Sequence, residues 1–74
     1  MKEKFLQIVA EALEKDLQCI QITDNFRDYE EWDSLGILSI MALMEENFGA
    51  IVSRESLNQC RTLEDLYNLV TKNA

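Results

Sequence analysis

The chain has no histidine and no proline, only two glycines and two cysteines, and seven basic residues against fourteen acidic ones. Each scarcity excludes something. Without histidine there is no Ser-His or Cys-His nucleophilic site, and both the commonest general base and the commonest metal ligand are missing. The groups left for chemistry are carboxylates, lysines, hydroxyls and thiols, and they form no metal-ligand or paired-acid spacing. The expectation is therefore a protein that is not itself an enzyme. Proline-rich linkers, internal repeats and low-complexity stretches are all lacking. No run of about 20 apolar residues is available for a membrane span, and "MKEKFLQIVAEALEKD" has neither the uninterrupted apolar core nor the cleavage site of a secretory signal. A cytoplasmic location follows as the expectation. In that reducing compartment Cys19 and Cys60, far apart and outside any C-x-x-C pattern, read as small buried hydrophobes.

At 74 residues the chain reads as one small domain over 1–74. Such a domain buries only about 60% of the surface its unfolded form exposes, which leaves no room for a deep substrate cleft. The net charge of -7 repels a nucleic-acid backbone and an anionic membrane surface alike, so neither is an expected partner. Proteins with basic patches are.

What is present is helical periodicity. In the first 16 residues Phe5, Ile8, Val9, Ala12 and Leu13 recur at three and four, opposite Glu3, Gln7, Glu11, Glu14 and Lys15; this predicts an amphipathic helix with a core-facing stripe. Leu17 to Trp32 is rich in residues that bond to their own backbone, among them Thr23, Asp24, Asn25 and Asp28. It predicts a long loop, with room for one short turn, pinned by Ile20, Ile22 and Phe26. The helical period returns with Ile37, Ile40, Met41, Met44 and Phe48 and stops at Gly49, giving a second helix over about 34–48. Ser53 is an N-cap for a short third helix with Leu57 and Cys60 facing inward. Thr62, followed three residues later by Asp65, opens a fourth helix whose inner stripe is Leu63, Leu66, Tyr67 and Val70. No period-two alternation appears. The predicted class is all-α, a small bundle of three main helices plus one short one, with the long loop between helices 1 and 2.

Ser34 falls at the cap or first position of the second helix. Capping alone accounts for Asp33 and Ser34, since each can accept a backbone N–H there and Asp33 also favours the positive end of the helix dipole. Capping does not account for Leu35 and Leu38, which lie off the core stripe and leave apolar groups facing outward beside the serine.

The run "DSL", the apolar helix closing on "MEENFG", and "IVSRESLNQCRTLEDLYNLV" together resemble the acyl carrier protein family of phosphopantetheine-bearing carrier domains. The resemblance covers the whole chain and runs without a gap from Asp33 to Val70. It implies that Ser34 is the attachment point for 4'-phosphopantetheine, transferred from coenzyme A by a phosphopantetheinyl transferase, and that acyl intermediates ride as thioesters on the arm. It implies a second-helix docking face of Asp33, Leu35, Leu38, Ala42, Glu45 and Glu46, meeting basic patches on acyl-loading and acyl-processing enzymes of a fatty acid or polyketide type of pathway. A monomer is expected. Against the fatty-acid subgroup, Glu30, Glu31 and Trp32 replace a common Leu-Gly, Gly36 and Ser39 stand where acids are usual, and Arg54 adds a positive charge near the third helix. These departures point to a stand-alone carrier in a specialised pathway. An aminoacyl, peptidyl or D-alanyl carrier would share the fold and the serine, and an unmodified helical interaction module would use Ser34 only as a cap. Gly36 lowers helix propensity by up to about 1 kcal/mol, which suggests a flexible first turn.

Overall fold

The computed structural model describes residues 2–72. Four α-helices follow in order: α1 (Lys2–Leu13), α2 (Ser34–Phe48), α3 (Arg54–Asn58) and α4 (Leu63–Lys72). Among the described residues there is no strand, and the all-α bundle of three main helices and one short helix is as the periodicity predicts. Met1, the start of the predicted first helix, lies outside the described residues.

The core is built from the inner stripes. Phe5, Ile8, Val9 and Leu13 of α1 meet Ile40 and Met44 of α2, Leu57 of α3, and Leu63, Leu66 and Val70 of α4, all buried. Phe5 sits at the centre of an aromatic group, edge-on to Tyr67 with ring centroids 5.3 Å apart and tilted against Phe48 at 6.2 Å. Both distances fall in the range where aromatic pairs add to simple area burial. Ala12, Tyr67, Ile37, Met41 and Phe48, at the margins of their stripes, are half-buried. Ala10 is buried as well, because the stripe on α1 is wider than the i, i+3, i+4 positions alone.

The long loop has more structure than one turn. It contains two 3₁₀ turns, Leu17–Cys19 and Phe26–Asp28, capped by the side chains of Asp16 and Asn25, which accept the backbone N–H groups of Gln18 and Arg27. Ile20 and Phe26 are buried pins, and Ile22 is half-buried. The loop also straps down α4. The amides of Leu63 and Glu64, orphaned at the start of a helix, donate to the carbonyls of Asp24 at 3.1 Å and Ile22 at 2.8 Å. Thr62 and Asp65 complete this start as predicted: Asp65 accepts the amides of Arg61 and Thr62, and the Thr62 hydroxyl accepts the amide of Asp65. Those two amides hold the Asp65 carboxyl below its ordinary range.

One cysteine assignment is corrected. Cys60 is buried, its thiol directed at the Ser56 carbonyl and its pKa pushed up by burial and then by nearby Asp65. Cys19 is exposed. It closes a tight 3₁₀ turn that buries none of its three residues, and the chain turns inward only at the next position, Ile20.

α1 ends sooner than its pattern. Glu14 takes the left-handed conformation at φ 56°. The amide of Lys15 then donates back to Ala10 O at 2.9 Å and that of Glu14 to Glu11 O at 3.2 Å, the paired bonds of a Schellman ending. Gly49 takes the same left-handed conformation after α2, at φ 65°, with its amide donating to Glu45 O at 2.9 Å. A glutamate in that conformation carries a steric cost that glycine does not. Glu14→Gly should stabilise the fold by about 1 kcal/mol, a rise of roughly 4–8 °C in thermal midpoint; an unchanged or lower midpoint in a melt followed by circular dichroism would contradict this account of the α1 terminus.

Candidate functional site

The start of α2 is where the outward-facing groups collect. Asp33 is the N-cap in extended backbone, and its carboxylate accepts the Gly36 amide at 2.9 Å. Ser34 is the first helical residue, exposed, and its hydroxyl enters no hydrogen bond among the described residues. The two roles left open by the sequence are thereby separated: Asp33 caps and Ser34 is not consumed by capping. A free primary hydroxyl beside amides with no intrahelical acceptor, at the positive end of a 15-residue helix, suits an anionic substituent such as a phosphodiester.

The approach to this serine is fixed from both sides. Upstream, Trp32 is half-buried with its ring against Phe26, centroids 4.5 Å apart. The Trp32 amide donates to Tyr29 O at 3.1 Å and the Asp33 amide to Glu31 O at 2.9 Å. Lys15 reaches across from the end of α1 to bond Glu31 at 3.1 Å, with its ammonium 4.8 Å from the centre of the Tyr29 ring. Glu31's own backbone amide, and then Lys15, hold its carboxyl below the usual carboxylate range. Tyr29 in turn donates its hydroxyl to Asp24 at 2.7 Å, and burial followed by that bond raises its pKa.

Downstream, Gly36 is buried. A Cβ there would fall well inside contact distance of the Glu31 carbonyl oxygen and 2.9 Å from Leu13 Cδ2. The glycine is required by close approach of α1 and the incoming loop to the first turn of α2. This replaces the flexible first turn suggested by helix propensity alone.

Along α2, Leu35, Leu38, Ala42, Glu45 and Glu46 are exposed and share one face. Leu35 is 76% exposed and Leu38 61%, large values for leucines in so small a fold. Asp33, also exposed, lies at the head of this face. Beside this face one apolar residue escaped the sequence reading, as exposed Leu17 did after α1: Ile51, in the loop after α2, is 81% exposed. Its only sequence signal is an isoleucine outside any helical period, between the terminator Gly49 and the cap Ser53. A 250 Å³ cleft lined by Trp32, Ile37, Arg54, Leu57 and Asn58 was likewise not legible, because it joins the head of α2 to α3, two segments far apart in sequence.

The four-helix arrangement is that of a small carrier-like bundle. The family model for the phosphopantetheine attachment site matches residues 3–70. The chain is 31% identical over 71 residues to the acyl carrier protein of Phytoplasma australiense, covering 96% of this chain and 93% of that protein. It is 29% identical over 73 residues to that of Syntrophobacter fumaroxidans (99% and 90%) and 27% identical over 70 residues to that of Petrotoga mobilis (95% and 82%). No solved structure matches the chain significantly. The chain belongs to the acyl carrier protein family, whose cofactor is covalently attached 4'-phosphopantetheine.

Two outcomes follow from this geometry. Gly36→Ala should destabilise by about 1–3 kcal/mol through overpacking, although helix propensity alone predicts a gain of up to about 1 kcal/mol; denaturant unfolding decides by the sign. A group whose folded pKa is depressed contributes stability above its unfolded pKa and loses it as pH falls. Lys15→Met should therefore be less stable than the parent at neutral pH, with the gap narrowing as pH falls through and below the ordinary carboxylate range and Glu31 is protonated. A gap in melting temperature that stays constant over that range would remove Lys15 as a cause of the Glu31 shift.

Proposed function

We propose that Ser34 is the phosphopantetheine attachment residue and that the chain, as a single carrier domain, delivers acyl groups between the enzymes of a specialised biosynthetic pathway. The observation that carries this reading is the division of labour at the head of α2: Asp33 caps the helix, and the Ser34 hydroxyl is left exposed for a transferase to reach. The arm supplies a terminal thiol that holds cargo as an activated thioester. The protein's own part is to anchor, present and be recognised; the bond-making groups belong to the partners, as befits a chain without histidine. Tethering raises the effective concentration of cargo at each docked enzyme.

Recognition is proposed to fall on the α2 face. Leu35 and Leu38 offer a small apolar anchor, flanked by Asp33, Glu45 and Glu46 for Lys or Arg on a phosphopantetheinyl transferase and on acyl-loading and acyl-processing enzymes. Two places on the same helix where acids are common in fatty-acid carriers are Gly36 and Ser39, and Gly36 is held there by close approach. A docking face with fewer charges and two exposed leucines favours partners other than those of primary fatty acid synthesis. A cytoplasmic location fits a cofactor drawn from coenzyme A.

Intact mass after incubation with coenzyme A and a broad-specificity phosphopantetheinyl transferase tests the assignment. One phosphopantetheine should be gained by the parent chain and none by Ser34→Ala. No gain in the parent with several transferases, or a gain retained by Ser34→Ala, would sink it.

A further inference from the structure

The hollow walled by the second 3₁₀ turn, the end of α3 and the start of α4 has a composition at odds with the rest of the chain. It measures about 610 Å³ and is lined by Asn25, Arg27, Asn58, Gln59 and Arg61: two guanidiniums, three carboxamides and, among the described residues, no carboxylate. The whole chain carries fourteen acidic residues against seven basic ones. The walls are tied together at three points. Arg27 Nη2 and Nε donate to Leu57 O at 2.9 Å and Cys60 O at 3.1 Å. Asn25 pairs with Thr62 in an isolated antiparallel bridge, and the Leu63 amide donates to Asp24 O at 3.1 Å. The hollow is therefore formed by the fold before anything enters it, which spares a ligand the cost of ordering it.

What the lining has left to offer is donors. The two bonds of Arg27 fix the plane of its guanidinium and leave its other N–H groups available. Asn25 Oδ1 accepts the Arg27 amide at 3.1 Å, so the Asn25 side chain keeps its N–H donors. The side chains of Asn58, Gln59 and Arg61 enter no hydrogen bond or ion pair among the described residues. The acids close in sequence do not neutralise the hollow. Asp24 accepts the Gln21 amide and the Tyr29 hydroxyl, and Asp28 lies outside the lining. Asp65 is within electrostatic reach of Arg61 but forms no ion pair with it, its Oδ2 accepting the amides of Arg61 and Thr62. Two guanidiniums without an internal counter-charge match carboxylates, which each can bond through paired N–H···O contacts.

A free small anion gains little here. All five lining residues are exposed, so water and salt screen them, and the net charge of -7 repels an anion at longer range. A nucleic acid meets that repulsion at every phosphate. Carboxylates on a folded protein differ, because the rest of an interface holds them at high effective concentration and keeps water away from the pairs. We propose that this hollow is a docking surface for an acidic segment of a partner protein, with Arg27 and Arg61 each pairing with an Asp or Glu carboxylate and the carboxamides of Asn25, Asn58 and Gln59 bonding the backbone around them. It is a second recognition surface, opposite in sign to Glu45 and Glu46 on α2, and it does not depend on modification of Ser34.

Titration of the isotope-labelled chain with hexa-aspartate, followed through its amide resonances, tests the proposal. Shifts should be saturable, centre on residues 25, 27, 58, 59 and 61, leave Glu45 and Glu46 unmoved, and shrink as salt is raised. Arg61→Gln and the isosteric Gln59→Glu, both at exposed positions, should each weaken binding about two- to five-fold, the yield of one exposed ion pair. Arg61→Lys, which keeps the charge, should retain most of it. Arg27 is left in place because its bonds also support α3, and melts of the variants check that the fold is unaltered. Inorganic phosphate at matched ionic strength should not reproduce the pattern. The same shifts with phosphate would make the hollow a small-anion site and overturn the proposal. So would hexa-aspartate binding that is undiminished in both Arg61→Gln and Gln59→Glu, or the absence of saturable shifts at these residues.

Discussion

The close approach at Gly36 is the constraint on which the head of α2 depends. Because no side chain intervenes, the Glu31 carbonyl and Leu13 can lie directly against the first turn of the helix. That contact fixes the chain direction through Trp32 and Asp33, sets Asp33 where its carboxylate reaches the Gly36 amide, and turns Ser34 outward. Lys15 reinforces the same junction from the end of α1 by bonding Glu31. If Ser34 is the attachment residue proposed above, this gives the modifying enzyme a rigid seat with one exposed hydroxyl and the arm a fixed pivot. The helix dipole adds a mild preference for an anion there, but the geometry is set by steric contact and capping.

Charge is distributed unevenly over this small surface. Glu45 and Glu46 line the exposed side of α2, whereas all three arginines, Arg27, Arg54 and Arg61, gather at α3 or on the segments beside it. Their roles differ. Arg27 is committed to the carbonyls of Leu57 and Cys60, while Arg54 is left facing the cleft beside Trp32. A partner approaching α2 thus meets an acidic and apolar face, and one approaching α3 meets a basic edge. Few charges are needed to produce this orientation, because at near-physiological salt only those within about 8 Å of a contact act strongly.

Much of this was legible in the residues. The limits of α2, the caps at Ser53 and Thr62, the inner stripes and the outward leucines all follow from local rules, since periodicity and capping act within a few residues. What could not be read depends on contacts between distant segments. Gly36 reads as a weak helix former until Leu13 and Glu31 are placed beside it. The carbonyls of Ile22 and Asp24 give no sign that they will cap α4, because every residue has a carbonyl. Cys19 has the same local composition whether it faces in or out, and a 3₁₀ turn decides it. The cleft near Ser34 needs Trp32 and Arg54 together, and no spacing rule connects them.

Arg27 carries a further consequence. Its Nη2 and Nε donate to Leu57 O at 2.9 Å and Cys60 O at 3.1 Å, satisfying carbonyls at the end of α3, a helix of five residues that is too short to persist alone. The short helix is therefore completed by a residue from the loop between α1 and α2, about thirty positions earlier in the chain. Anyone exchanging α3 between carriers to redirect partner choice would be moving half of a structural unit. The transferable module is discontinuous, comprising the turn around Phe26–Asp28 together with Ser53 to Cys60, and a graft that takes the helix without its arginine would strip the guanidinium from the Cys60 carbonyl and leave Leu57 O only its local backbone donors.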